Sequence, residues 1–140
     1  MSAKNTLMDS LSLLTFLLLG ATVIGLYYQK NTGLIKRKKR LKLSPNEFGG
    51  AYGERATILQ FSTIFCSSCR AAKALIKDVV KDKEDISFYE VDAEGNLELV
   101  KKVDIRSTPT TLFLDSSGVE IARAIGVPKR EQLNKTITML

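Results

Sequence analysis

The sequence contains no histidine, and only two of its 140 residues are cysteine. The absence of histidine excludes catalytic triads and dyads that use an imidazole base, and metal sites built on imidazole ligands. Two thiolates fall short of the four ligands of a structural zinc site, so only a four-cysteine site shared by two chains stays open. A glycine-rich phosphate-binding loop is also absent. We therefore expect no metal and no cofactor.

The long C-terminal part of the chain lacks an excess of either charge. Residues 43–140 carry 13 basic and 14 acidic side chains, and the net charge of +6 comes from a basic run over residues 30–42. A near-neutral domain lacks the electrostatic footprint of a nucleic-acid-binding protein, so we expect no nucleic-acid partner. The basic run predicts a segment held by anionic lipid head groups, although a solvated linker has the same composition. A DNA-binding arm is the weaker alternative because an apolar segment adjoins the run.

Charge is missing altogether from Ser10 to Gln29. A helix of this length covers about 30 Å, the thickness of a bilayer core. Tyr27 and Tyr28 stand at its end, where interfacial aromatic residues are expected. A cleaved signal peptide is the alternative, but no small-x-small cleavage site precedes Tyr27. The basic residues after the span place residues 30–140 in the cytoplasm, so we expect a single-pass protein of the cell membrane that contacts lipid through residues 10–42.

The chain is predicted to have three parts. Residues 1–29 hold the transmembrane helix (about 10–29), residues 30–56 form a basic juxtamembrane connector, and residues 57–140 form one α/β domain. Runs rich in strand formers alternate with helical patterns in this domain and give the order β-α-β-α-β-β-α. The predicted strands are 57–62, 86–91, 110–114 and 119–125, and the predicted helices are 67–83, about 94–103, and one that follows Pro128. Two strands joined by a helix imply parallel pairing with a right-handed crossover.

Both cysteines lie in Phe65-Cys66-Ser67-Ser68-Cys69-Arg70, between the first predicted strand and the first predicted helix. A Cys-x-x-Cys pair can close a small-ring disulfide, and a helix N-terminus favours the thiolate of the first cysteine. Further along, Val91-Asp92 ends the second strand, Thr108-Pro109 precedes the third, and Gly126 ends the fourth. With these motifs, residues 57–140 resemble thioredoxin-like proteins along nearly their whole length. The chain looks like a minimal membrane-anchored thioredoxin-like protein of a Gram-positive bacterium.

The resemblance implies a thioredoxin-like fold, with a mixed sheet flanked by helices, preceded by one N-terminal transmembrane helix. It implies that Cys66 and Cys69 are the catalytic, disulfide-forming pair, with Cys66 attacking and Cys69 resolving. Pro109 would be cis, and its loop would present the backbone of Thr108 to an extended partner peptide. Phe65 would complete the substrate-binding surface.

Several positions depart from the family pattern. Phe65 replaces the usual tryptophan, and Ser67-Ser68 replaces the usual Gly-Pro. Gln60 replaces the buried acid of many thioredoxins, and Phe88 replaces the lysine that often faces that acid. The first strand and helix of the family must fit into residues 43–56, so they are shortened or missing. Because glutamine cannot accept the proton of Cys69, we expect slower or less pH-dependent resolution.

The sequence thus predicts a membrane-anchored thiol–disulfide oxidoreductase. Its partners would be protein thiols and disulfides, with a thiol reductant or a reductase as the electron donor. Two alternatives stay open: an extracytoplasmic protein of the cytochrome c maturation type, and a redox-inactive adaptor that keeps the fold.

Overall fold

The computed structural model describes the backbone of residues 2–31, 35–36 and 41–140. Contacts divide the chain into two units, Met1–Thr32 and Gly33–Leu140. Within the predicted basic run, residues 32–34 and 37–40 lie outside the described residues.

The first unit is a single helix, α1, which spans Ser2–Asn31. Within it, Leu11–Gln29 has a mean hydropathy of 1.9, and none of this stretch is buried. Large side chains of this stretch are exposed; Phe16, for example, is 78% exposed. By length and composition the helix could cross a membrane, although an N-terminal signal sequence would meet the same requirements.

The second unit contains the predicted order of elements, preceded by two short ones. Its strands are β1 (Ile35–Lys36), β2 (Ala56–Ser62), β3 (Ile86–Asp92), β4 (Thr110–Asp115) and β5 (Glu120–Ile125). Its helices are α2 (Pro45–Phe48), α3 (Ser67–Val80), α4 (Leu97–Lys102) and α5 (Arg130–Thr138). From β2 to α5 the order is β-α-β-α-β-β-α, as the sequence predicts.

The sheet is mixed, with the strand order β1-β5-β4-β2-β3. β2 and β3 are parallel and joined by α3, whereas β4 pairs antiparallel with both β2 and β5. The turn between β4 and β5 closes at Gly118, whose φ of 81° favours glycine. The C-terminal end of β2 therefore lies beside the start of β4, and this is the edge of the sheet where the cysteines follow.

Apolar side chains alternate along the strands and form a core on each face of the sheet. On one face, Ile58 and Phe113 pack with Ile76 of α3 and Leu133 of α5. On the other face, the core contains Leu43, Leu59, Phe61, Val91, Leu99, Val103, Leu112 and Leu114. Two layers of buried apolar residues thus hold β2, the strand that leads to the cysteines, fully inside the domain.

Residues 41–56, part of the predicted connector, pack into this unit. Leu43 is fully buried, its N–H donates to the carbonyl of Gly118 at 2.9 Å, and Lys42 bridges to Val119. The helix expected here has only four residues, Pro45–Phe48, and it ends at Gly49, whose backbone angles are left-handed. Among the described residues, none forms a strand on the outer side of β3, so the family's first strand has no counterpart within 43–56.

Candidate active site

The two cysteines occupy the N-terminus of α3. Cys66 is the N-cap residue with extended backbone angles, and Cys69 lies in the first helical turn. Their sulfur atoms form a disulfide of 2.08 Å, with the Cα atoms 5.2 Å apart. Cys66 is half-buried, whereas Cys69 is only 2% exposed. An attacking partner can therefore reach Cys66 much more easily than Cys69.

The sulfur of Cys66 has two polar neighbours that belong to the helix N-terminus. The backbone N–H of Cys69 donates to Sγ at 3.1 Å, and Oγ of Ser68 lies 3.3 Å from it. The first helical carbonyl, that of Cys66, accepts from the N–H of Arg70. Unpaired N–H groups and the helix dipole favour negative charge at this position, so a thiolate on Cys66 would be stabilised.

Beneath Cys69 lies a buried polar pair on neighbouring strands. Gln60 is fully buried, and its side-chain N–H donates to the carbonyl of Cys69 at 2.9 Å. Thr111 stands directly opposite Gln60 in the β2–β4 register and is also fully buried. Among the described residues, neither Oε1 of Gln60 nor Oγ1 of Thr111 has a hydrogen-bond partner. The region below the resolving cysteine is thus polar and uncharged.

An ion pair ties α3 to the sheet next to the site. Glu90 accepts from the Ser62 hydroxyl at 2.7 Å and from Lys73 at 2.5 Å. The hydrogen bond from Lys73, then that from Ser62, holds the pKa of Glu90 below its usual range. Glu90 is the cross-strand neighbour of Gln60, whereas Phe88 lies beside Ile58 and packs on the core.

The Thr108-Pro109 loop adjoins the cysteine loop. The peptide bond between these two residues is cis, as the sequence predicts. Oγ1 of Thr108 lies 3.5 Å from Oγ1 of Thr63, which is three residues before Cys66. The carbonyl of Pro109 accepts from the N–H of Gly126 at 2.8 Å, and Gly126 has a φ of 82°. The loops before α3, before β4 and after β5 are therefore linked.

Exposed apolar side chains border these loops. Phe65 is 95% exposed and Ile64 is 70% exposed in the cysteine loop. Ile125 and Val127, which flank Gly126 beside the proline loop, are 49% and 37% exposed. Isolated exposed apolar residues are ordinary, but these four lie on loops that are linked to one another next to the disulfide.

The structure places all five predicted site residues, Phe65, Cys66, Cys69, Thr108 and Pro109, in two adjoining loops. Sequence reasoning pointed to Ser68 through its position between the cysteines but missed Thr63 and Thr111 as neighbours of the site. Thr63 and Thr111 gave no sequence signal, because their contacts depend on strand register and loop packing. Among the described residues, no group of three or more Cys, Asp or Glu side chains could hold a metal ion.

The half-buried Cys66 and the buried Cys69 thus form a disulfide at a helix N-terminus beside a cis-proline loop, an arrangement whose chemistry suits thiol–disulfide exchange. Comparisons with known proteins agree. The thioredoxin family model matches residues 41–139, well over half of the chain. The chain belongs to the thioredoxin family.

Individual relatives match more than half of the chain. Thioredoxin H5 of rice (Oryza sativa) is 36% identical over 87 residues, which are 58% of this chain and 64% of the rice protein. Thioredoxin of Mycoplasmoides gallisepticum is 27% identical over 77 residues, 55% of this chain and 77% of the relative. The solved structure of Fasciola hepatica thioredoxin superposes with a TM-score of 0.55 at 26% identity, covering 68% of this chain and 86% of that one. The match to the rice protein thus spans less than two thirds of its length.

Proposed function

We propose that this chain is a membrane-anchored thiol–disulfide oxidoreductase that exchanges disulfides with partner proteins through Cys66 and Cys69. The observation that supports it best is the asymmetry of the pair. The half-buried Cys66 sulfur lies at a helix N-terminus, whereas Cys69 is 2% exposed. One sulfur is open to a partner, and the other is within reach only of the first.

The reaction begins with the reduced pair. The Cys66 thiolate attacks one sulfur of a partner disulfide, forming a mixed disulfide and releasing the partner's other sulfur as a thiolate. Cys69 then loses its proton and attacks Sγ of Cys66, which forms the Cys66–Cys69 disulfide and releases the reduced partner. Two electrons pass to the partner, and a thiol reductant or a reductase must return them to this chain.

Gln60 determines how the second step loses its proton. Its amide cannot accept the proton of Cys69, and among the described residues no carboxylate hydrogen-bonds to Cys69. Glu90, the nearby acid on β3, is already engaged by Ser62 and Lys73. Water therefore serves as the acceptor, and resolution should show little pH dependence from a buried acid near neutrality.

The proposed location rests on the apolar stretch Leu11–Gln29 and on the basic run that follows it. The positive-inside rule puts that run, and the domain after it, in the cytoplasm. In a reducing compartment, the pair would act as a reductase of protein disulfides at the membrane surface. Protease protection in sealed vesicles tests this orientation: cleavage of the domain only in vesicles that expose the cytoplasmic face agrees with it.

Reduction of insulin disulfides by the full chain in detergent tests the activity. We expect turnover with a thiol reductant, loss of turnover in Cys66→Ser, and unchanged turnover in Ser116→Ala, a change in the β4–β5 turn. No turnover with any reductant would favour a redox-inactive adaptor over the proposed enzyme.

The partners are best identified by trapping. In Cys69→Ser the mixed disulfide cannot be resolved, so partner proteins should accumulate bound to Cys66 in membranes. Cytoplasmic or membrane partners are expected. Capture of extracytoplasmic c-type cytochrome precursors would contradict the proposed orientation and support the maturation role instead.

A further inference from the structure

The dipeptide between the cysteines places two hydroxyl groups in the first turn of α3, and only one of them contacts a cysteine. Oγ of Ser68 lies 3.3 Å from Sγ of Cys66. Both serines are exposed, and among the described residues the side chain of Ser67 has no hydrogen bond to either cysteine. The two serines differ only in where the helix points them.

A hydroxyl next to a sulfur has little effect while that sulfur is in a disulfide, because a disulfide sulfur is a weak acceptor. Reduction turns the same sulfur into a thiolate, a charged acceptor, and hydrogen bonds to charged acceptors are about twice as strong as neutral ones. The hydroxyl hydrogen of serine rotates freely to point at such an acceptor. A proline, which many relatives are expected to have at this position, carries no donor.

We propose that the Ser68 hydroxyl donates a hydrogen bond to the Cys66 thiolate and so makes Cys66–Cys69 a more oxidising pair than one without this donor. The bond adds to the one that the Cys69 N–H already directs at the same sulfur at 3.1 Å. It stabilises the reduced, ionised state and leaves the disulfide state nearly unchanged, so the equilibrium shifts toward the reduced pair. Only the redox activity of Cys66 is taken from the proposed function.

Two further consequences follow for reactivity. A better stabilised thiolate is present in a larger fraction at neutral pH, so Cys66 should be alkylated faster there. In the mixed disulfide, the partner's second thiolate can attack the partner sulfur that is bonded to Cys66. The same stabilisation makes Cys66 a better leaving group in that step. Ser68 therefore favours release of the mixed disulfide and disfavours strong reduction.

The test is a pH titration of Cys66 in the full chain in detergent, with Cys69→Ala so that one thiol remains. The thiolate is followed by its ultraviolet absorbance and by its rate of alkylation with iodoacetamide. Ser68→Ala should raise the thiol pKa by about one unit, roughly the net worth of one charged hydrogen bond. Ser68→Thr, which keeps the hydroxyl, should restore the native value.

Ser67→Ala is the matched control, because it makes the same chemical change one residue earlier in the same helical turn. It should leave the pKa of Cys66 unchanged. An unchanged pKa in Ser68→Ala, or an equal rise in Ser67→Ala, would overturn the proposal. An equal rise would assign the effect to the helix N-terminus in general.

A second measurement uses the intact cysteine pair. Equilibration with reduced and oxidised glutathione should show an about tenfold smaller equilibrium constant for reduction of the disulfide in Ser68→Ala, about 30 mV for a two-electron couple. Neither readout needs catalytic turnover. If the chain does not reduce insulin but Ser68→Ala shifts the titration of Cys66, only the proposed function is refuted. If the chain reduces insulin and Ser68→Ala shifts nothing, only this inference is refuted.

Discussion

The rim and the floor of the site meet at the disulfide and differ sharply in solvent exposure. We define the rim as Ile64, Phe65, Cys66 and Ser68, and the floor as Gln60, Cys69 and Thr111. Phe65 at the rim is 95% exposed, whereas Gln60 and Thr111 at the floor are fully buried. The rim can be changed with little effect on folding, and the floor cannot.

We expect the two regions to have different roles. The rim should influence which partner binds and how readily Cys66 reacts, because its atoms face solvent. The floor should influence how Cys69 is held and how it loses its proton, because its atoms face only protein. Substitutions at the rim should therefore alter reactivity, and substitutions at the floor should alter stability and resolution.

The sharpest contrast is between the two sulfurs. In the reduced full chain, Cys66 should be alkylated at least about 100-fold faster than Cys69 at neutral pH, because only Cys66 combines access with a stabilised thiolate. Iodoacetamide kinetics on Cys69→Ala and Cys66→Ala, each with a single thiol, measure the two rates. Equal rates would mean that the buried and exposed sulfurs do not differ functionally.

At the floor, Gln60→Glu places a carboxylate of the same size in the buried position. Burial raises the pKa of such a group, so the free energy of unfolding is unaffected by it below pH ~4, falls as the pH rises from there to the raised value, and levels off above it. We expect a loss of about 2 kcal/mol in mildly alkaline solution, measured by urea denaturation across the pH range. Gln60→Met, which has a similar size and no charge, should show no such dependence, and a flat profile for both would contradict burial of position 60.

Substitutions at two adjacent threonines are expected to change the free energy of unfolding in opposite directions. Thr111 has an unpartnered buried hydroxyl, whereas the Thr110 hydroxyl donates to the carbonyl of Ser107 at 2.7 Å. Thr111→Val should raise the free energy of unfolding by about 1 kcal/mol, and Thr110→Val should lower it by about the same amount. Chemical denaturation of both variants decides the matter; two changes of the same sign would show that the hydroxyl of Thr111 is satisfied.

At the rim, Phe65→Ala should reduce kcat/KM for insulin by about threefold, since an exposed ring contributes to a transient contact with a protein partner. The rate with a small aromatic disulfide and the free energy of unfolding should stay within error, as for most surface substitutions. Met139→Ala, a half-exposed apolar residue at the C-terminal end of α5, is the control and should change neither rate. An equal loss with both substrates would argue against a role of Phe65 in recognition.

The smallest effect is expected beside the floor, at Glu90. Because Lys73 and Ser62 lower its folded pKa, Glu90 contributes stability above its unfolded pKa, and this contribution is lost as the pH falls through the folded value. Lys73→Met should remove part of that acid sensitivity, by a few tenths of a kcal/mol, because the ion pair is partly solvated. Lys135→Met, on α5, should leave the acid limb of the denaturation curve unchanged.

Much of the fold follows from local patterns. The strand-forming runs, the helix after the cysteines and the turn at Gly118 all lie within two or three residues of their predicted bounds, because alternation and turn chemistry are local signals. The expected gap in the family pattern is also present: Gly49 and Pro45 confine a helix to four residues. The burial of Leu43 could not be predicted from local patterns, because it depends on the distant hairpin at Gly118.

The candidate site likewise contains residues that the sequence predicts and residues that it does not. Cys66, Cys69 and Pro109 could be predicted, because sequence motifs and their spacing, matched to a known family, point to them. The pairing of Gln60 with Thr111 depends on the register between β2 and β4, and the contact of Thr63 with Thr108 depends on two loops that are 45 residues apart in the chain. Long-range register of this kind is not encoded in any short window of sequence.

Leu43 has a practical consequence for any attempt to separate the domain from helix α1. A chain cut after Arg40 keeps the two backbone hydrogen bonds that join Leu41 and Leu43 to the hairpin. A chain shortened to Thr57 would lose a fully buried leucine and open a hole on one face of the sheet. Removal of the N-terminal segment should therefore yield a folded domain only if the cut falls before Leu41.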